Sequence, residues 1–228
     1  MNTRFLPLCL ALGLAACSNT PPPPDWQMNA QSSLQRATDA WLSGHSRIEA
    51  VEFARARTEV ARTGQPALMA RVELLRCATR VAALVFEPCA GFQALAVDAA
   101  PAEQAYARYL AGQALSAEAA LLPEAQRPLA LAQAEAPPPA QSQAAIEAAL
   151  ARIQDPLPRL VAAGVLLQRG LASPAVATVA ADTASAQGWR RPLLAWLQVQ
   201  QARAQAGGAV DEAARIQRRI DLVAPVVR

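Results

Sequence analysis

The chain contains no lysine; all 21 basic residues are arginine. Codon usage in a GC-rich genome accounts for that bias before any function does. Against 18 acids the net charge is only +3, too small a basic excess to signal nucleic-acid binding. Aromatics are scarce too, at 4%, although 53% of the residues are hydrophobic. Alanine, about a quarter of the chain, explains the mismatch, so the apolar percentage does not imply a large core. The chain is too apolar to be disordered. Ten glycines without a period exclude a collagen-like chain, and four cysteines in 228 residues exclude a disulfide-dense scaffold.

Chemistry-bearing motifs are equally sparse. The single histidine, His45, sits in the turn Ser43-Gly44-His45-Ser46, where a solvated side chain is the ordinary outcome. One histidine and two thiols open to pairing are too few soft ligands for zinc, so neither a metal nor a cofactor is expected. The sequence has no Gly-x-Ser-x-Gly elbow, no phosphate loop and no Gly-x-Gly-x-x-Gly. Glu49 and Glu52 are one helical turn apart, with Arg55 and Arg57 beyond, and read as an ion-paired exposed face. The alternative is a helical peptidoglycan hydrolase with Glu49 or Glu52 as acid. The Glu-Ser motif of lytic transglycosylases is absent. No catalytic residue is therefore assigned.

What is present begins at the N-terminus. Arg4 precedes an apolar run from Phe5 to Ala16. As a helix it spans about 18 Å against a hydrocarbon core of about 30 Å, which suits a signal h-region rather than a permanent span. It ends in Leu14-Ala15-Ala16-Cys17, which resembles the lipobox of bacterial lipoprotein precursors. The resemblance implies that residues 1–16 are cleaved and that Cys17 becomes a lipidated N-terminus. Three acyl chains exceed what stable anchoring requires. Ser18 stands where that family's inner-membrane signal would be Asp, so the resemblance places the protein on the periplasmic face of the outer membrane. Residues 17–25 include four consecutive prolines and read as a polyproline spacer of roughly 25 Å.

Beyond Asp25 no strand signals appear and helical periodicity is frequent. Trp26, Ala30, Leu34, Ala37 and Trp41 form one stripe, with Asp25 as cap and Gly44 as stop. Ser46 to Glu49 reads as a capping box opening a second helix, with Ile48, Val51, Phe53, Ala56 and Val60 inward. A third helix from about Ala67 to Val85 is apolar on two faces, which predicts a central position. Residues 136–140 hold three prolines and read as the internal boundary between a helical lobe 26–135 and a second, 141–228. The fold class is all-α, with antiparallel helix pairs. Ala37-x-x-x-Trp41-Leu42-x-Gly44 recurs as Ala105-x-x-x-Tyr109-Leu110-x-Gly112, two 34-residue periods later. That spacing is similar to tetratricopeptide repeats, and a plain helical bundle is the alternative.

With Cys9 cleaved and Cys17 lipidated, Cys77 and Cys89 remain in an oxidising compartment, where a pair forms a disulfide. Closure requires Pro88 to turn the chain back along the third helix. The bridge would contribute about 3 kcal/mol in the chain-entropy picture. The expectation that follows is a lipid-anchored, periplasm-facing, non-catalytic protein-binding scaffold. Its partners are the membrane, through the lipid, and an envelope protein or peptide. Trp26, Trp41, Arg47, Arg55 and Arg57 are the expected contact residues. A structural lipoprotein without a fixed partner is the remaining alternative.

Overall fold

A computed structural model describes residues 22–113, 116–132 and 140–224. Cys17, the lipobox and prolines 137–139 lie outside them. The described residues contain eleven α-helices and no strand. They are α1 Asp25–Ser43, α2 Ser46–Ala61, α3 Pro66–Ala82, α4 Ala90–Gln93, α5 Pro101–Leu110 and α6 Arg127–Ala132. After residue 139 come α7 Ala140–Arg152, α8 Pro156–Gln168, α9 Pro174–Ala186, α10 Arg190–Ala206 and α11 Val210–Val223. Three 3-10 turns, Ala96–Asp98, Ser116–Leu121 and Glu124–Gln126, fill the connections.

Local chemistry sets most boundaries. Pro66, Pro101, Pro156 and Pro174 each open a helix, where a missing N–H costs nothing. Asp155 accepts from the Leu157 N–H and Ser173 from the Val176 N–H, both as N-caps. Gly44 and Gly112 end α1 and α5 in the left-handed region, at φ 93° and 71°. The two recurring motifs therefore share a helix end as well as letters. Two expected caps differ. Asp25 is the first residue of α1 and caps nothing, although its charge suits the helix start. Ser46 lies inside α2, and its hydroxyl accepts from Arg191 at 2.8 Å instead of capping.

The two-residue connection between α1 and α2 makes these long helices antiparallel neighbours. The set α9, α10 and α11 packs likewise in sequence order. Packing is not confined to neighbours: α3 lies against α8 and α1 against α10. A solenoid repeat touches only the repeats beside it. This connectivity is that of a bundle closed around α3 and α8. One apolar cluster accordingly runs from Leu42 to Ile216, drawing residues from both sides of the proline segment. Gly164 allows the central crossing. A Cβ there would meet the Val81 carbonyl oxygen of α3 inside contact range and Val81 Cγ1 at 3.0 Å. Cys77 and Cys89 are joined, their Cα atoms 5.8 Å apart, and the Ala90 N–H bonds the Pro88 carbonyl in the turn between them. A buried chain of polar bonds runs from the Tyr109 hydroxyl to Gln126 at 2.6 Å and from Gln126 to the Pro158 carbonyl at 3.0 Å. Burial pushes the Tyr109 hydroxyl well above its ordinary pKa.

On α2, Phe53, Ala56 and Val60 are buried as expected, but Ile48 and Val51 are not, and two glutamates expected on the exposed face take the inward positions. Ile48 and Val51 are 53% and 52% exposed, while Glu49 and Glu52 are 4% and 7% exposed. Val51 and Phe53 are two residues apart, about 200° around the helix, so they cannot share a face. The larger Phe53 wins, and Glu49, one turn back, and Glu52, the residue before it, follow it inward. They are tolerated because arginines meet them. Glu49 accepts from Arg76 at 2.8 Å and Arg80 at 3.0 Å. Glu52 accepts from Arg36 at 2.9 Å and Arg55 at 2.7 Å. Glu73 pairs with Arg57, and Glu103 with Arg71 at 2.5 Å. In most of these pairs the carboxylate is buried and the guanidinium lies nearer the surface. Arginine suits that role because its fork is weakly hydrated and binds carboxylates with directed donors.

The hydrogen bond from Arg36, aided by the charges of Arg36 and Arg55, holds the Glu52 carboxyl below its ordinary 4.5 despite desolvation. A carboxyl with a lower pKa folded than unfolded stabilises the fold above its unfolded value and loses that contribution as pH falls through the folded value. Thermal melts should therefore show Tm declining once pH drops below about 4.5, with a smaller decline in Arg36→Met. Equal declines would place the acid sensitivity elsewhere.

Candidate functional site

A groove of about 700 Å³ runs along α1 and α3. Its floor is apolar: Ala30 and Leu34 from α1, Val60 from α2, and Leu68, Val72 and Leu75 from α3. The i, i+4, i+8 stripe Trp26, Ala30, Leu34 places these α1 residues on one face. Beside that stripe, at the same spacing, stand Gln27, Gln31 and Gln35, then Thr38 and Asp39. Trp26, at the start of α1, and Trp189, just before α10, both line the groove, with Asp155 and Leu157 from α8. From Trp26 to Asp39 the helix rises about 20 Å.

The groove's electrostatics are uneven. Asp39 makes no ion pair among the described residues, and desolvation raises its carboxyl above the usual range. Asp155 lies in the same wall. Arg71 is engaged with Glu103. A second hollow of about 390 Å³, bounded by Tyr106, Leu121 and Arg127, shares Arg71 and Leu75 with the first. Each glutamine amide carries donors and an acceptor, so the α1 row can pair with a backbone laid beside it.

The expected contact residues are not brought together. Trp26 lines the groove. Trp41 does not. Its ring is stacked between Arg80, 3.1 Å from the centroid, and Arg191, at 3.5 Å. Burial lowers the pKa of both guanidiniums. That stack joins α1, α3 and α10 and is structural. Arg47 is exposed on the outer side of α2. Arg55 and Arg57 are tied to Glu52 and Glu73. Cys17 lies outside the described residues. Sequence reasoning missed Gln27, Gln31, Gln35, Asp39 and Trp189. Only the glutamines carried a signal, their four-residue spacing beside the apolar stripe.

Among the described residues, no helix is long and apolar enough to cross a membrane, and no cluster of three or more His, Cys, Asp or Glu could hold a metal. No known family model matches the chain, and no curated protein or solved structure is detectably similar to it.

Proposed function

We propose that this is a lipid-anchored, periplasm-facing envelope lipoprotein that binds a partner protein without catalysis, using the α1–α3 groove. The observation that carries the reading is the groove itself: an apolar floor, an amide row along one wall and an acid without an ion-pair partner at one end. Its volume falls in the range of about 300–1,000 Å³ usual for ligand sites. A trough of about 20 Å takes about six residues of extended chain. The occupant that fits is an extended segment of an envelope protein. It would carry apolar side chains at alternate positions for Leu34, Leu68 and Val72, and an arginine or lysine toward Asp39. A basic residue there would pair with the exposed Asp39 carboxyl, which no ion pair among the described residues occupies.

The hydrolase alternative gains no support, because Glu49 and Glu52 are held in ion pairs beneath the surface. Cys17 carries the anchor, so Cys17→Ser should leave the precursor uncut and without lipid in an envelope fraction. Normal processing of that variant would refute the anchor. For the groove, peptides selected from a displayed library on the full chain should show the apolar-plus-basic pattern. Leu34→Glu should weaken their binding by about 2 kcal/mol, roughly thirtyfold in Kd, by placing a charge on the apolar floor. Undiminished binding by Leu34→Glu would remove the groove from consideration.

A further inference from the structure

The rotation of α2 that buries Phe53, Ala56 and Val60 leaves a surface that the fold does not use. Ile48 and Val51 are held out by the same rotation that buries Glu49 and Glu52. Between Ser46 and Arg62 the exposed charged residues are Arg47, Arg55, Arg57 and Arg62, and none is an acid. Glu59 is half-buried and paired with Arg62. Arg47 has no carboxylate partner among the described residues. The outer face of α2 therefore carries Arg47, Val51, Ala54 and Thr58 along its middle, with Ile48, Arg55 and Arg62 toward one edge and Arg57 toward the other.

We infer that this face docks on an anionic phospholipid surface. Charge complementarity is the first argument: the exposed charged side chains of the face are all arginines, Arg47 without a carboxylate partner and Arg55, Arg57 and Arg62 exposed while paired with Glu52, Glu73 and Glu59, and arginine stems can reach phosphates while Ile48 and Val51 enter the headgroup boundary. The anchor motif is the second: it precedes α1 in the sequence, and α2 packs along α1. A protein held to a bilayer by its N-terminus can thus lay α2 against that bilayer, so the inference leans on the anchor reading of residues 1–17. It leaves the groove independent, since the groove lies on the α1–α3 side and these residues point away from the core of α2. Each arginine near an anionic surface strengthens binding roughly fivefold.

Hydroxyl-radical footprinting of the full chain reads the face without labels. Cleavage after Arg47 and Arg55 isolates Ile48–Arg55, in which oxidation of Ile48 and Val51 is resolved. On equimolar phosphatidylglycerol–phosphatidylcholine vesicles, their oxidation should fall several-fold relative to pure phosphatidylcholine. Val210 and Leu222, exposed on α11, should be unchanged. Arg47→Glu should restore oxidation of Val51. Unchanged oxidation on the anionic vesicles overturns the proposal. Protection that appears without vesicles and grows with protein concentration also overturns it, in favour of a second copy. Flotation with neutral vesicles reports the anchor separately. A chain that fails to float there lacks the lipid, and the footprint on anionic vesicles still decides the face.

Discussion

Glu49→Ala should destabilise the protein by about 3 kcal/mol, whereas Ile48→Ala, one residue away, should change stability by less than about 0.5 kcal/mol. Glu49 is the shared acceptor of Arg76 and Arg80. Arg80 is already held in a desolvated position against Trp41. Without Glu49, its charge stays beneath the surface with no counter-ion, beside Arg76 and near Arg191. Removing one partner of such a pair costs more than the pair contributes, because the other is left uncompensated. Ile48 at 53% exposed has little burial to lose. The contrast inverts what hydrophobicity alone predicts, and denaturant melts of the two variants measure it. A larger loss for Ile48→Ala would mean α2 is rotated the other way.

Gly164→Ala is the second large effect. An alanine in the middle of α8 should gain about 1 kcal/mol in helix propensity over glycine. Here the added methyl falls on the Val81 carbonyl oxygen, with the Val81 carbonyl carbon at 3.1 Å. A backbone atom has no rotamer to change, so α3 and α8 must separate. Residues Leu160 to Leu166 are all buried, and separation loosens contacts along that whole face. Overpacking of this kind costs about 3 kcal/mol, enough to exceed the propensity gain. The net loss of about 2 kcal/mol should lower Tm by roughly 4–8 °C for a domain of this size. Gly207→Ala is the control. There the nearest atom to a new Cβ is 3.4 Å away, an ordinary contact, and melting should be nearly unchanged.

Most helix ends were legible in the sequence because their signals are local. Asp155-Pro156, Ser173-Pro174, Gly44 and Gly112 act through the few residues around them, and each does what its chemistry predicts. The central place of α3 was legible from its two apolar faces. The face of α2 was not. Its carboxylates go inward because Arg36, Arg76 and Arg80 approach from two other helices. No window on α2 contains that information. The role of Trp41 was hidden for the same reason, since Arg191 comes from α10. The groove joins Trp26 to Trp189, and only the α1 glutamine row was within reach of the sequence. The absence of lysine acquires a physical sense as well. Each buried carboxylate named here is met by a guanidinium, whose weak hydration suits a charge held at the edge of the core.

Methyl-resolved NMR of the full chain, titrated with a selected apolar-plus-basic peptide, tests the central proposal most directly. Binding in the α1–α3 groove should shift the methyl signals of Leu34, Leu68, Val72 and Leu75, with Ile48, Val51 and Val210 unmoved. Shifts that spare the groove and gather at the outer face of α2 or on α11 would contradict it.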